Sequence, residues 1–231
     1  IADQTYTGKE LTPAIVIPGL KAGEDYYMYY EDNQYPGVAT VTIYGTGYYK
    51  GTATIHFKII KKTEKFVSNV KLNRTSYTYT GKSIRPSVTV TVNGKKIGAN
   101  AYKLYYRNDK NSGIGTVQVR GIGKYSRINK TLTFKILPPK TLLTGLKKAN
   151  RSFTASWKKN IQATGYQIQY AADSRFTKER KTVTVGKQSA TRYKISGLKN
   201  KKTYYVRIRS YKRVGKKVLY SSWSTVKKIW V

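Results

Sequence analysis

Residues 79–136, which begin Tyr79-Thr80-Gly81-Lys82, repeat the pattern of residues 6–59, which begin Tyr6-Thr7-Gly8-Lys9. The shared positions are turn glycines, a proline and apolar or aromatic residues, and the offset between the copies grows from 73 to 77. They include Pro13 and Pro86, Tyr30 and Tyr106, Gly37 and Gly113, Gly45 and Gly121, and Phe57 and Phe134. Self-similarity of this kind indicates tandem modules. Acids and histidine are absent from the shared set, so the duplication copied a scaffold rather than a catalytic site.

The length of 231 residues leaves room for one to three domains. Pro138-Pro139 interrupts any strand that would cross it, because proline has no backbone N–H to donate in a sheet. We therefore expect two repeat modules, at residues 1–60 and 61–138, and a third module at residues 139–231. There is no cysteine, so each module must be stabilised by its own apolar core. Both linkers are short, which predicts an elongated, semi-rigid rod.

The ends of the sequence bear on targeting. The chain begins at Ile1 rather than at methionine, and the second module starts with a strand-like segment at residues 67–77 that the first module lacks. We therefore expect a C-terminal fragment of a longer protein, in which no signal peptide is visible. No apolar run approaches the roughly 18 residues of a membrane span, so no membrane span is predicted.

The net charge of +35 is distributed unevenly along the chain. Residues 1–60 carry four Lys or Arg against six Asp or Glu, residues 61–139 carry 17 against two, and residues 140–231 carry 24 against two. Two modules of one architecture thus differ strongly in charge, so the fold itself does not require it. A field of this size attracts polyanions, which indicates an acidic polymer as partner.

Alternation of apolar and polar residues predicts half-buried antiparallel strands. The apolar members of these runs are Ala53, Ile55, Phe57 and Ile59; Val117 and Val119; and Leu132, Phe134 and Ile136. Asn93-Gly94, which lies between Val92 and Lys95, predicts a two-residue hairpin turn. No segment has a helical period. The fold class is therefore all-β, with three small β-sandwich modules in tandem.

The first two modules resemble a family of bacterial repeats. Their shared pattern is Tyr-Thr-Gly-Lys, a proline, the pairs Tyr29-Tyr30 and Tyr105-Tyr106, Gly-x-(Ala/Gly)-Thr-Val and Phe-x-Ile. It is similar to the MBG/YDG-type Ig-like repeats of large secreted and cell-wall proteins in Gram-positive, especially clostridial, bacteria. The resemblance covers residues 1–137. It implies a spacer or adhesive role, since such repeats share no catalytic activity.

The third module resembles a fibronectin type III domain. Trp157 ends one alternating run, Tyr166 begins the next, and Leu198 is followed six residues later by Tyr204. This is the spacing of the strand B tryptophan, the strand C tyrosine and the tyrosine corner before strand F in that domain. The resemblance implies a sandwich of two sheets. The segment between strands F and G, at residues 212–216, lacks the Arg-Gly-Asp of some animal relatives.

The sequence offers little chemistry for catalysis or metal binding. His56 is the only histidine, alternation points it away from the core, and without cysteine it cannot build a transition-metal site or a triad. The acid clusters Glu24-Asp25 and Glu31-Asp32-Asn33 could bind calcium or serve a glycosidase, but turn capping by Asp and Asn explains them better. We predict no catalytic residue, no metal and no cofactor.

Candidate ligand-binding residues cluster on strand F of the third module. Alternation with the core of that strand places these side chains on its outer face: Tyr205, Arg207, Arg209 and Tyr211. Two interpretations remain open. An exposed aromatic and cationic strip suits a sugar, sulfate or phosphate, or else the arginines brace the sheet by stacking on Trp223 of the neighbouring strand. Trp223, Lys216 and Lys217 complete the candidate set.

These features predict a non-catalytic stalk and adhesion module, either secreted or attached to the wall of a Gram-positive bacterium. Its basic second and third modules would bind an anionic cell-wall polymer or a host glycan, and a protein partner also fits. Two alternatives remain. The chain could target a larger secreted enzyme to cell wall or polysaccharide, or it could bind nucleic acid or a matrix polymer. Nucleic acid suits the electrostatics, but no nucleic-acid-binding motif and no helix for a major groove is recognisable.

Overall fold

The computed structural model describes residues 1–63 and 65–231. Their regular structure is β-strand, apart from the three-residue 3-10 helices Ala99–Ala101 and Gly123–Tyr125. The all-β prediction is therefore confirmed. The chain divides into two compact units, Ile1–Phe66 (unit 1) and Val67–Val231 (unit 2), and unit 2 contains both the second repeat and the third module. No helix in the described part of the chain is long and apolar enough to cross a membrane.

Unit 1 is built on a four-stranded sheet. Its strands are β1 (Gln4–Thr5), β2 (Tyr26–Glu31), β3 (Gly37–Gly45) and β4 (Thr52–Ile60), in the order β1-β4-β3-β2. β1 runs parallel to β4, and the other neighbours are antiparallel. The predicted alternation is confirmed in β4 for three side chains that pack into the core, although Ala53 is exposed: Ile55, Phe57 and Ile59. Half-buried side chains between β1 and β2 cover this core: Leu11, Ile15, Ile17 and Leu20.

The second repeat contains the same sheet and a second one. Its strands are β5 (Ser68–Leu72), β6 (Ser76–Thr78), β7 (Val88–Val92), β8 (Lys95–Lys96), β9 (Tyr102–Arg107), β10 (Gly113–Gly121) and β11 (Asn129–Leu137). The sheet β6-β11-β10-β9 matches the order and directions of unit 1, and β5-β7-β8 forms the second sheet. β5 confirms the predicted leading strand. Val92 pairs with Lys95 across Asn93-Gly94, both at positive φ, which confirms the hairpin.

The two repeats share individual hydrogen bonds. Tyr30 Oη donates to the carbonyl oxygen of Pro13, and Tyr106 Oη donates to that of Pro86, each over 2.7 Å. Burial raises the pKa of both phenols. Each tyrosine thus fixes the segment that carries the shared proline to the sheet, which explains why both residues recur in the two copies.

Turn geometry is repeated as well. Gly8 and Gly81 have φ of +82° and +83°, in the left-handed region that glycine adopts without steric cost. Asp32 and Asn108 occupy the same region at φ of 55° and 53°, which Asp and Asn tolerate better than other side chains. The shared glycines and short polar residues therefore mark backbone requirements.

The third module is a sandwich of two sheets. Its strands are β12 (Leu143–Ala149), β13 (Ser152–Trp157), β14 (Gly165–Ala171), β15 (Lys181–Val185), β16 (Arg192–Ser196), β17 (Thr203–Val214), β18 (Lys217–Tyr220) and β19 (Lys227–Trp230). One sheet is β12-β13-β16; the other is β15-β14-β17-β18, with β19 also paired to β17. Trp157 and Tyr166 are buried in the core with ring centres 5.2 Å apart. Tyr204 Oη accepts the Lys199 N–H over 3.0 Å, which is the predicted tyrosine corner.

Two features of the third module differ in detail from expectation. β17 continues to Val214 and turns at Gly215-Lys216, so residues 212–216 are mostly strand rather than loop. The connection at Pro139 is not a bare linker, because its carbonyl oxygen accepts hydrogen bonds from Asn160 Nδ2 and Ser210 Oγ over 2.8 and 2.7 Å.

Unit 2 also links its two modules directly. The Ser112 N–H donates to Gln162 Oε1 over 2.9 Å, and Gln162 Nε2 donates to Asn111 Oδ1 over 3.3 Å. The loop before β10 and the segment between β13 and β14 are therefore in contact.

Candidate functional site

Two arginines of β17 stack against one tryptophan on the outer face of the third module. The Cζ atoms of Arg207 and Arg209 lie 4.6 and 4.4 Å from the centre of the Trp223 ring. Arg207 also lies 4.0 Å from the Phe176 ring centre, and Arg209 lies 3.8 Å from that of Tyr220. We call these five residues the arginine ladder. Each guanidinium contacts aromatic faces, an arrangement that electrostatics favours.

Hydrogen bonds hold both guanidiniums in place. Arg207 Nε and Nη2 donate to Gln169 Oε1, and Arg209 Nε and Nη2 donate to Gln167 Oε1, with Nε distances of 2.9 and 3.0 Å. Both arginines are half-buried, and burial lowers the pKa of each guanidinium. Two of the five N–H donors of each guanidinium are thus used inside the sheet, which is the bracing arrangement that the sequence left open. A ligand-binding role for these residues stays a prediction.

Serine hydroxyls fix the segment that carries Trp223. The hydroxyls of Ser221 and Ser224 accept the N–H groups of Ser210 and Ile208, each over 3.0 Å. This segment lies between β18 and β19 and is not itself a strand, so the expectation that Trp223 belongs to the neighbouring strand is wrong in that respect. It nevertheless runs beside β17, because the hydroxyls of Ser221 and Ser224 accept hydrogen bonds from the β17 backbone in place of the carbonyl groups of a paired strand.

A second basic surface, which the sequence did not single out, lies beside β9 at the edge of its sheet. It is a groove of about 520 Å³, which we call the β9 groove, lined by Arg85, Leu104, Tyr105, Tyr106, Arg107, Gln118 and Arg120. The Cζ of Arg120 lies 5.4 Å from the Tyr105 ring centre, and that of Arg85 lies 5.8 Å from the Tyr106 ring centre. The groove thus combines three cations with two aromatic rings.

Comparison with known families identifies the third module. Residues 137–227 match the family model of the fibronectin type III domain. These residues form a fibronectin type III domain. The match begins at the residue that ends β11, and it includes every member of the arginine ladder. The β9 groove lies outside it.

Solved structures with similarity to the chain include animal proteins with fibronectin type III domains. The FN1–FN3 domains of chicken CNTN1 are 15% identical, with 85% of this chain and 78% of that chain covered and a TM-score of 0.34. The third fibronectin III domain of human KIAA0343 protein is 19% identical, with 41% and 82% covered and a TM-score of 0.32. A comparison with curated proteins gives no match.

The fibronectin type III domain brings together some of the predicted site residues. Arg207, Arg209 and Trp223 meet, and Tyr205 is half-buried on the same strand. The expectation that Tyr211 faces solvent is wrong, because it is only 4% exposed. Its ring and hydroxyl occupy the space where a side chain on Gly165 would lie. Lys216 and Lys217 are exposed where β17 turns into β18, and Lys217 pairs with Val214.

Asp25, Asn33 and His56 make hydrogen bonds within unit 1. Asp25 Oδ2 accepts the Lys21 N–H over 2.8 Å, which is the turn-capping role that the sequence favoured. His56 is exposed, and its Nδ1 lies 3.2 Å from Thr40 Oγ1 on the next strand. Within the described residues, no group of three or more His, Cys, Asp or Glu side chains is placed to hold a metal ion.

Proposed function

We propose that the chain is a non-catalytic adhesion module of the extracellular space, which binds anionic polymers through unit 2. The distribution of charge carries this proposal. Residues 1–66 contain seven Lys or Arg and seven Asp or Glu, whereas residues 67–231 contain 38 against three. The whole net charge therefore belongs to unit 2. Since both units contain the same four-stranded sheet, the charge is a property added to the scaffold.

The few acids of unit 2 are already occupied. Asp109 pairs with Arg85 over 3.7 Å, and Glu179 pairs with Lys199 and Lys202 over 3.5 and 2.7 Å. The third, Asp173, accepts backbone N–H groups in its own turn. Most cations of unit 2 are thus not neutralised within the unit. Lysines on sheet edges also discourage aggregation, but that role explains a modest excess rather than this one. The electrostatic field of a surface that carries mostly positive charge steers acidic polymers toward it.

The places where similar domains occur support the same function. Fibronectin type III domains are commonly extracellular, and they occur in cell-surface and adhesion proteins. The resemblance of residues 1–137 to the MBG/YDG-type repeats supports a place at the wall of a Gram-positive bacterium. Wall polymers that carry phosphate, or acidic host glycans, would then be the natural partners.

Binding of the full chain to immobilised dextran sulfate tests the proposal, with neutral dextran as the matched control. We expect binding to the sulfated polymer alone, with an affinity that falls steeply as salt rises, because binding releases counterions. Purified wall polymer and acidic mucin would then be compared under the same conditions. Absence of binding to dextran sulfate at low salt would show that the charge has another purpose.

A further inference from the structure

We infer that the β9 groove is a specific subsite for an anionic sugar, in which Arg107 and Arg120 bind the acidic group and Tyr105 packs against the sugar ring. The inference rests on the proposed function and names where in unit 2 a charged glycan is recognised. Arg85, Arg107 and Arg120 all line the groove, and among the residues that the structure describes no acid lines it. The carboxylate of Asp109 lies 3.7 Å from Nε of Arg85, and in the described part of the chain it forms no ion pair with Arg107 or Arg120.

The two recognition arginines differ from those of the arginine ladder. Arg107 and Arg120 are exposed, and within the described residues no carboxylate pairs with either of them. Arg207 and Arg209, by contrast, are half-buried and donate to glutamines. A guanidinium with free donors presents a planar fork that matches the oxygens of sulfate, phosphate or carboxylate. The β9 groove therefore offers this fork to a ligand.

The positions of these side chains follow from strand register. Arg107 pairs with Thr116, Tyr105 with Gln118, and Lys103 with Arg120. Alternate residues of a strand share a face and lie about 7 Å apart. Lys103, Tyr105 and Arg107 thus form a row along β9 in which a ring lies between two cations, with Arg120 beside it on β10. A chain of charged sugars laid along β9 would meet ring and cation in turn.

Unit 1 shows that the sheet does not need these cations. The residues of unit 1 that occupy the positions of Arg85, Tyr105, Arg107, Gln118 and Arg120 are Thr12, Tyr29, Glu31, Thr42 and Tyr44. The tyrosine is retained, whereas each arginine is replaced by a neutral or acidic residue. The same backbone is therefore built without the cations, so sheet stability does not account for them.

The size and aromatic content of the groove favour a glycan over a nucleic acid. Its volume of about 520 Å³ lies within the range of small-ligand sites. Tyr105 is 44% exposed, whereas Tyr106 is half-buried and its hydroxyl is bonded to the Pro86 carbonyl. Single-stranded nucleic acids are bound on successive rings that stack successive bases. The β9 groove offers one exposed ring, that of Tyr105, which matches a single sugar rather than a series of stacked bases.

Paired charge-removing variants of the full chain test the assignment. The first is R107Q with R120Q; the control is R175Q with R192Q, two exposed arginines of the fibronectin type III domain. We expect the groove variant to bind dextran sulfate oligosaccharides about tenfold more weakly or worse, and the control to stay within about twofold of wild type. Equal losses in the two variants would overturn the subsite and leave the proposed function standing, because wild type binds in that case. Failure of wild type to bind dextran sulfate would overturn both.

The ring is tested separately from the charge. Y105A should weaken binding to dextran sulfate and leave binding to polyvinyl sulfate, which has no sugar ring, unchanged. Phosphorylated and carboxymethylated dextrans of equal charge then identify the preferred acidic group. Unchanged dextran sulfate binding in Y105A would contradict ring packing. Tighter binding of oligo-dT than of dextran sulfate, lost in R107Q with R120Q, would make the groove a nucleic-acid site instead.

Discussion

The guanidinium of Arg209 stacks on the indole of Trp223, with the Cζ atom 4.4 Å from the ring centre. The Cζ atom of Arg207 lies 4.6 Å from the centre of the same ring, so Trp223 contacts two residues that share one face of β17. Gln167 and Gln169 hold the arginines from the β14 side. The ladder therefore connects β14, β17 and the segment before β19 into one layer.

Removal of the ladder tryptophan should destabilise the fibronectin type III domain. We expect W223A to lower the free energy of unfolding by about 2–3 kcal/mol, because two cation–π contacts and half-buried apolar surface are lost. W230A is the matched control. Trp230 is 55% exposed and stacks with Lys148 over 3.8 Å, so its loss should cost less than about 1 kcal/mol.

The measurement is denaturant unfolding of the full chain followed by tryptophan fluorescence. All three tryptophans lie in the third module, at residues 157, 223 and 230, so the signal reports that module alone. Each variant retains buried Trp157 and one other tryptophan. Equal stabilities of W223A and W230A would contradict the bracing role of the ladder.

The tyrosine corner gives a second prediction. Y204F removes the hydroxyl that accepts the Lys199 N–H over 3.0 Å and leaves the buried ring in place. We expect a loss of about 1–2 kcal/mol in the same fluorescence assay. Y193F, which changes an exposed tyrosine of the same domain, should stay within about 0.5 kcal/mol of wild type. A corner variant as stable as Y193F would show that this hydrogen bond contributes nothing.

The buried phenol of the second repeat should give a pH-dependent contribution. Burial raises the pKa of Tyr106 above its ordinary value of 10.0, so the folded state keeps a proton that the unfolded state releases. This contribution is complete below pH 10 and is lost as the pH rises through the folded pKa. At pH 8, Y106F should be less stable by about 1 kcal/mol, because the bond to Pro86 is lost.

Above pH 10 the stability difference between wild type and Y106F should shrink, since only wild type has the Tyr106 phenol, whose contribution is lost as it ionises. Calorimetric melting of wild type and Y106F at pH 8 and pH 10.5 measures this deficit, and every other side chain is the same in the two proteins. A deficit that stays constant or grows with pH would contradict the assigned direction of the pKa.

Fragment boundaries test the junction at Pro139. Residues 137–231 should fold cooperatively alone and be more stable than residues 140–231 by about 1–3 kcal/mol, because the shorter fragment leaves Asn160 and Ser210 without the Pro139 carbonyl. Both side chains are buried. Denaturant unfolding by tryptophan fluorescence compares the fragments. An unfolded 137–231 fragment would refute the module boundary, and equal stabilities would refute the contribution of Pro139.

Local pattern was enough to predict much of the fold. Val117, Val119 and Phe134 are buried where period-two alternation placed them, because each pattern depends only on its own strand. Asn93-Gly94 forms the expected hairpin turn, because positive φ at adjacent residues is a local requirement. The corner at Tyr204 follows from a fixed spacing to Leu198. Each of these predictions needed fewer than ten residues of sequence.

Contacts between strands were not predictable in the same way. Alternation places Tyr211 outside, but it is buried because Gly165 on the paired strand provides space for its ring. Gln167 and Gln169 lock the arginines only once β14 is paired with β17. The β9 groove was missed because its cations come from separate segments of the chain. The alternation of Lys103, Tyr105 and Arg107, set beside Arg120, is the signal that could have revealed it.

The most direct test of polyanion binding by unit 2 is a titration of the isotopically labelled full chain with dextran sulfate, followed by amide chemical shifts at low salt. We predict shifts confined to residues 67–231, with unit 1 as an internal control on the same molecule. Shifts of equal size in residues 1–66, or no shifts in residues 67–231, would contradict the account.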